Sequence, residues 1–321
     1  MHTGTAASLI LLLVAHIIPA ACDCINPIVR QEWRTLSKQE QLAYINAVKC
    51  LKSQPAQLSK SYEGVRSRFD DYQVTHMNNT DYIHWVVNWS LDVNTEAEFL
   101  SSPVFDPVYG FGGNGAYINT SSWTNVSIHI PGKTGGGCIS TGPFANLTVN
   151  MGPGLNFTYN PRCLTRDFSP WFVSQTLNSS VVNWALKAPN FYEFDRRVEG
   201  GVTVADATYH SGGHKGIGGD IGEISDLYSS PGEPLFYLHH CNVDRLWNLW
   251  QHFDWLNRKY DISGPNTSYA YPYDFFGPKP YYNITLNYPM DFQGLLTTKS
   301  QIRTTGDAMD IQGNGLCYKY A

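Results

Sequence analysis

Charge is scarce in this sequence. Asp, Glu, Lys and Arg make up only 15% of the 321 residues, the net charge is -5, and lysines and arginines nowhere form a run. Nucleic acids and anionic membrane surfaces are held by clustered basic groups, so neither is an expected partner. Long apolar runs are scarce too. The stretch from Ser8 to Cys22 is short for a bilayer span and ends in small residues, which is the pattern of a secretory signal, although its start carries no Lys or Arg beyond the amino terminus. The expected organisation is a signal peptide over residues 1–22 and one secreted domain over 23–321, whose 42% hydrophobic and 14% aromatic content suffices for a full core.

Other features agree with export. Nine Asn-x-Ser/Thr triplets, from Asn78 to Asn283, are glycan acceptors in a secreted chain. Cleavage after Cys22 leaves six cysteines, Cys24, Cys50, Cys138, Cys163, Cys241 and Cys317, an even set expected mostly to pair in an oxidising compartment. Their connectivity stays open. Cys241 is expected as a free buried thiol.

Several helices are legible. Ser37 to Glu40 reads as a capping box, followed by Leu42, Ile45, Val48 and Leu51 at helical spacing and stopped before Pro55. A second helix is expected from Glu63 to Met77, with Phe69, Tyr72 and His76 on one face. From Ser101 to Pro161, Gly, Pro, Asn, Ser and Thr dominate, which is the chemistry of long loops. Gly132-Lys133-Thr134 lies in that stretch with no strand before it and is rejected as a phosphate loop. His129, also there, reads as a surface or edge-strand residue rather than as a replacement ligand. Helices return at Ser179 to Lys187 and at Asn190 to Glu199, the latter ended by Gly200-Gly201.

The histidines carry the chemistry. His210 and His214 stand four apart, so a helical turn projects both from one face toward a single ion. Gly212 and Gly213 lie between them, and each costs about 1 kcal/mol in a helix interior, so packing or a metal has to hold that turn. From His240 onward, Val243, Leu246, Trp247, Trp250 and Phe253 recur at helical spacing, which places His240 near the start of a long helix on its buried side. Three neutral imidazoles with an open position suit a reactive copper, zinc, iron or nickel site rather than a closed structural one. His239 faces another way and reads as a supporting or pocket residue. His252, twelve residues past His240, is about 120° around the helix and reads as structural. His76 and His84 stand eight apart, and the loop signal Asn78-Asn79-Thr80-Asp81 frees them to converge.

Pro234-Leu235-Phe236-Tyr237-Leu238-His239-His240-Cys241-Asn242-Val243-Asp244-Arg245-Leu246-Trp247, preceded by the His210/His214 pair, closely resembles the second copper-binding motif of tyrosinases, catechol oxidases and haemocyanins. The chain ends resemble the short secreted fungal polyphenol oxidases in particular. The resemblance implies a mainly α fold with a four-helix core and long irregular loops, holding two copper ions by three histidines each. It also implies a phenolic or catecholic substrate oxidised to an o-quinone with dioxygen. His210, His214 and His240 match the second copper's ligands, and Asp70-Asp71-Tyr72 leading to His76 and His84 matches the first two ligands of the other. The family's third ligand there lies on a further helix before a Trp-Asn-Trp-like stretch. Here the chain runs from His84 directly to Asn88-Trp89, so one bundle helix and its histidine are missing and one complete copper site remains.

Ser211 stands where monophenol-hydroxylating relatives often carry Asn, which favours diphenols. Asp244 is expected to support the site or to pair with an arginine. Tyr318 and Tyr320 match the family's closing tyrosine motif, which packs near an N-terminal arginine, here Arg30. No lid domain is expected after Tyr320. Two other classes remain open: a catalytically silent secreted metal binder keeping one three-histidine site, and a haemocyanin-like oxygen binder.

Overall fold

The computed structural model describes residues 24–78, 91–93, 95–267, 269–275, 279–295, 303–313 and 316–321. Strand β1 (Ile28–Arg30) leads into helix α1 (Lys38–Ser53), and the capping box forms as expected: Ser37 accepts from the Glu40 N–H while the Glu40 carboxylate accepts from Ser37. α1 buries Gln41, Ile45 and Val48. Lys52 near its end reaches Asp70 at 2.9 Å, which fastens α1 to α2 (Arg68–Asn78). α2 starts five residues later than the periodicity predicts. The Asp70 carboxylate draws in the N–H groups of Arg66 and Ser67, and Ser67 bridges to Pro55, so the preceding segment is held as turns. Phe69 and His76 are buried, whereas Tyr72 sits at the edge of that face, 39% exposed beneath the Arg68 guanidinium.

After α3 (Glu96–Leu100), the glycine-rich stretch is not loop alone. β2 (Gly115–Tyr117) pairs antiparallel with β3 (Gly136–Ile139), and β4 (Thr148–Val149) with β5 (Arg162–Cys163). The Cys138–Cys163 disulfide ties the two ribbons. Just beyond, Arg166 forms a fully buried, two-pronged ion pair with Glu233 (2.7 and 2.8 Å) and also donates to the Phe111 and Gly112 carbonyls. A carboxylate and a guanidinium this deep are stable only because each is satisfied by the other and by backbone groups. Glu233 also accepts from the Leu235 N–H, so the long loops are pinned to the start of α8.

The helices that carry the histidines follow. Ser169 caps α4 (Pro170–Thr176), Asn178 caps α5 (Ser179–Leu186), and Asn190 caps α6 (Phe191–Glu199), which ends at Gly200 with φ 71°. α7 (Tyr209–Gly218) and α8 (Leu235–His252) enclose the site, and α9 (Trp255–Arg258), α10 (Thr305–Ala308) and β6 (Tyr318–Tyr320) complete the chain. The glycines of α7 are explained by close packing. A Cβ at Gly212 lies 2.4 Å from Thr176 Oγ1, at Gly216 2.4 Å from Val173 Cγ2, and at Gly213 2.2 Å from the His239 ring. The propensity cost of glycine is offset by the approach of α4 on one side and of an imidazole on the other. On α8, Val243, Leu246 and Trp250 are buried as expected, but Phe253 is 68% exposed because the helix ends at His252 and the chain turns away.

The two ends of the domain meet. β6 pairs parallel with β1, and the Cys24–Cys317 disulfide closes the same junction. Arg30 Cζ lies 3.4 Å from the Tyr318 ring centroid, within cation–π range. The Tyr318 hydroxyl donates to Asp244 at 2.6 Å, the Tyr320 hydroxyl donates to the same oxygen, and Arg30 NH1 lies 3.5 Å from it. Cys241 is free and partly buried, and burial pushes its thiol up to about 11. Cys50 departs from the expected even set: it is free and exposed at the end of α1. No helix among the described residues is long and apolar enough to cross a membrane. The molecule is mainly α, as expected, and the missing bundle helix falls at a segment outside the described residues.

Candidate metal centre

His210 and His214 project from successive turns of α7, and His240 meets them from α8. Their Nε2 atoms converge: His214 Nε2 lies 3.1 Å from that of His210 and 2.8 Å from that of His240. Nitrogens each about 2 Å from one ion are separated by about 3 Å, so the spacing fits a shared metal. The opposite sides of two rings are committed. His214 Nδ1 donates to the Ile224 carbonyl at 2.7 Å, and His210 Nδ1 lies 3.0 Å from the Glu199 carboxylate. A donating Nδ1 leaves the Nε2 lone pair free for a cation.

Burial, then the charges of His210 and other neighbouring imidazoles, holds His214 well below the usual histidine range; for His240 burial comes first and His214 next. Both rings are therefore neutral near pH 7, the form that binds metals. The Phe236 ring stacks on His240 at 4.0 Å between centroids and fixes its plane. His239 is the fourth imidazole of the cluster, whose ligand atoms all lie within 4.8 Å of one another. It is fully buried, and its Nε2 donates to the His210 carbonyl at 2.9 Å, so it braces α7 from behind, in the supporting place expected of it. The donor set fits copper, which imidazole nitrogens suit.

His76 lines the same cavity, its Nδ1 donating to the Tyr228 carbonyl at 2.9 Å and its ring edge-on to Phe236. His84 lies outside the described residues. His129 stands outside this cluster: its half-exposed ring is tied through Nδ1 to the Asp220 carboxylate at 2.8 Å. His252 is exposed at the end of α8 against Trp255, away from the cluster. The cavity has a volume of about 260 Å³, with Val202, Val204, Ile128 and Phe275 among its apolar walls. Two site residues escape sequence reasoning. Glu199 is the last residue before Gly200-Gly201 and gave only a helix-end signal, and Lys215 follows a ligand on α7 as a lone charge with no pattern around it. Burial pushes the Lys215 ammonium down to about 8.

The common central domain of tyrosinase matches residues 85–253, a stretch that contains His210, His214 and His240 but begins after His76 and His84. Tyrosinase P of Aspergillus terreus is 31% identical over 92% of this chain and 93% of its own length. N-acetyl-6-hydroxytryptophan oxidase ivoB of Emericella nidulans is 30% identical over the whole of both chains. Its alignment runs over 381 residues against the 321 of this chain, so relatives carry internal residues that are missing here. The solved structure of a point mutant of polyphenol oxidase from Thermothelomyces thermophila superposes with a TM-score of 0.72 at 30% identity, covering 92% of this chain and 89% of that one. Fold, histidine geometry and these relatives agree, and the chain belongs to the tyrosinase family of copper oxidoreductases.

Proposed function

We propose that this protein is a secreted copper enzyme that oxidises phenols or catechols to o-quinones with dioxygen, and that in this exact chain the activity is limited by an incomplete first metal site. The observation that carries the reading is the convergence of His210, His214 and His240 Nε2 on one point inside a cavity of aromatic-ring size. Copper bound there supplies one-electron redox chemistry toward dioxygen. The protein's part is positional. The three imidazoles hold the metal, Glu199 and the Ile224 carbonyl keep two of the rings turned with Nε2 inward, and Phe236 keeps the third in plane. The apolar walls receive an aromatic ring and keep bulk water from it. One relative's name makes it an oxidase of N-acetyl-6-hydroxytryptophan, so hydroxylated indoles belong beside catechols among the substrates to test.

His76 and His84 belong to the first site in this reading. A second reading, a metal binder without turnover, is favoured by one fact: the chain passes from His84 to Asn88-Trp89 with no further histidine. Residues 1–22 as a signal peptide and 23–321 as the copper-binding domain complete the proposal, supported by the two disulfides. The deciding experiment is copper analysis of the purified chain together with a catechol oxidation assay. Dioxygen-dependent quinone formation supports the enzyme, and bound copper without turnover supports the second reading.

A further inference from the structure

Part of the cavity wall is carried by a loop with little to hold it in place. The connection from β2 to β3 bulges out beyond the Ile118–Gly135 backbone bond (2.9 Å) and brings Ser127, Ile128 and Ile130 to the lining. Residues 121–125 are exposed, whereas Ile128 is half-buried and Ile130 buried. Among the described residues, none from 121 to 128 forms a hydrogen bond outside the loop. The two ends of the loop meet instead on one carboxylate. Asp220 Oδ2 accepts from Thr120 Oγ1 at 2.7 Å and from His129 Nδ1 at 2.8 Å, and its Oδ1 accepts from the Ile130 N–H at 2.6 Å. A surface loop of this length whose ends are joined is a compact element of its own. The Asp220 side chain is 1% exposed. Burial opposes its charge, yet the contacts to Ile130, Thr120 and His129 hold its carboxyl below the usual range, so it serves as an ionised acceptor.

Asp220 belongs to the frame of the metal centre. It stands just beyond the end of α7, the helix of His210 and His214, and its N–H donates to the Asp167 carboxylate at 3.0 Å. Asp167 in turn accepts from the Gly135 N–H at 2.9 Å and pairs with Lys133 at 3.2 Å, so the root of the loop and the end of the helix share one charged network. We propose that Asp220 is a positioning residue for the substrate: by tying Thr120, His129 and Ile130 to the end of α7, it holds Ile128 and Ile130 in the cavity as the apolar wall on which an aromatic ring packs. Asp220 touches no substrate and acts through those two side chains. The inference deepens the proposed function and rests on the cavity being that enzyme's substrate site. Without the clasp, the loop has to be ordered each time a ligand binds, and that ordering is subtracted from affinity.

The test is binding without turnover. Benzyl alcohol, an aromatic ring with no phenolic hydroxyl to oxidise, is titrated calorimetrically into the purified full chain and its variants. Asp220→Ala and Ile128→Ala are each expected to weaken binding about fivefold. The double variant should bind no more weakly than either single one, because both changes remove the same wall. Chymotrypsin reads the loop without a ligand: cleavage after Trp123 is expected to run about tenfold faster in Asp220→Ala and to change little in Ile128→Ala. Where Asp220→Ala does not fold, Thr120→Val combined with His129→Ala removes two of the three donors and takes its place. Unchanged affinity or unchanged cleavage in a folded clasp variant overturns the inference. So do losses that add in the double variant, since Asp220 would then act on the fold rather than through Ile128. A parent chain that binds no benzyl alcohol overturns it from the other side, by removing the substrate site on which it rests. Catechol oxidation, followed separately, tests the proposed chemistry alone.

Discussion

His210 and His214 hold their Nε2 atoms 3.1 Å apart while their Nδ1 atoms face acceptors on the other side, Glu199 and the Ile224 carbonyl. Two lone pairs so placed repel unless a positive centre lies between them. Burial opposes a proton on His214, so a metal ion is the occupant that suits both rings.

Metal should therefore stabilise the fold through this pair. With free copper at about 100 times its dissociation constant, linkage predicts about 2.7 kcal/mol of added stability. His214→Ala should lose most of that gain and most of the bound copper, as read by denaturant midpoints with and without metal and by elemental analysis. Equal stabilisation of variant and parent would place the copper elsewhere.

The metal-free chain should lose stability on acidification. Burial, then the His210 charge, pushes His239 down to about 3, and His214 and His240 are lowered in the same direction. A base with a depressed folded value must gain a proton on unfolding, so its contribution is fully present above about 6.5 and falls as pH drops below that value. His239 alone accounts for roughly 2 kcal/mol by pH 5. Urea midpoints at pH 7.5 and pH 5 measure it, and a flat profile would show that these rings are not neutral in the fold.

The site was legible because its signal is local. A four-residue spacing on α7 and an apolar period on α8 fix which way His210, His214 and His240 point, and the caps at Ser37 and Asn190 likewise involve residues three apart. What stayed hidden depends on residues far apart in sequence. The Arg166–Glu233 pair spans 67 positions, Cys24 meets Cys317 across 293, and Glu199 reaches His210 only because the chain reverses after Gly200. The late start of α2 has the same origin in part, since Ser67 is held by a bridge to Pro55. Phe253 kept the helical period but fell one residue past the end of its helix.

Gly213→Ala tests the packing that presents the histidines. Alanine improves helix propensity by about 1 kcal/mol, but its Cβ falls 2.2 Å from the buried His239 ring. The ring has to leave its bond to the His210 carbonyl. We expect net destabilisation of about 2 kcal/mol and weaker copper retention. A more stable variant with full copper content would show that His239 does not brace α7.

Tyr318→Phe tests the junction of the chain ends against α8. The ring stays beneath Arg30, but Asp244 loses the hydroxyl that donates to it at 2.6 Å. Loss of one hydrogen bond to this partly buried carboxylate should cost about 1 to 2 kcal/mol in denaturant unfolding. Copper content should hold, because Asp244 stands a full helical turn beyond His240. A parallel loss of copper would mean that the closing motif positions the ligand as well as the fold.

The first metal site decides how far this chain can act as an oxidase. If the three-histidine site holds the copper, the purified protein should carry about one ion per chain. His240→Ala should abolish it, whereas His76→Ala should leave it nearly unchanged, because two histidines bind copper more weakly than three. His129→Ala should leave copper content unchanged. Its ring serves the Asp220 carboxylate, which also accepts from Ile130 and Thr120, so the expected cost is about 1 kcal/mol of stability and nothing at the metal. Oxidation of a catechol to an o-quinone removes two electrons, and a lone copper changes by one, so catechol oxidation by this chain should be slow. Two coppers per chain with rapid quinone formation would overturn the argument. Loss of the second ion in His129→Ala would then identify the residue that completes the first site, and its retention would direct the search to the residues following His84.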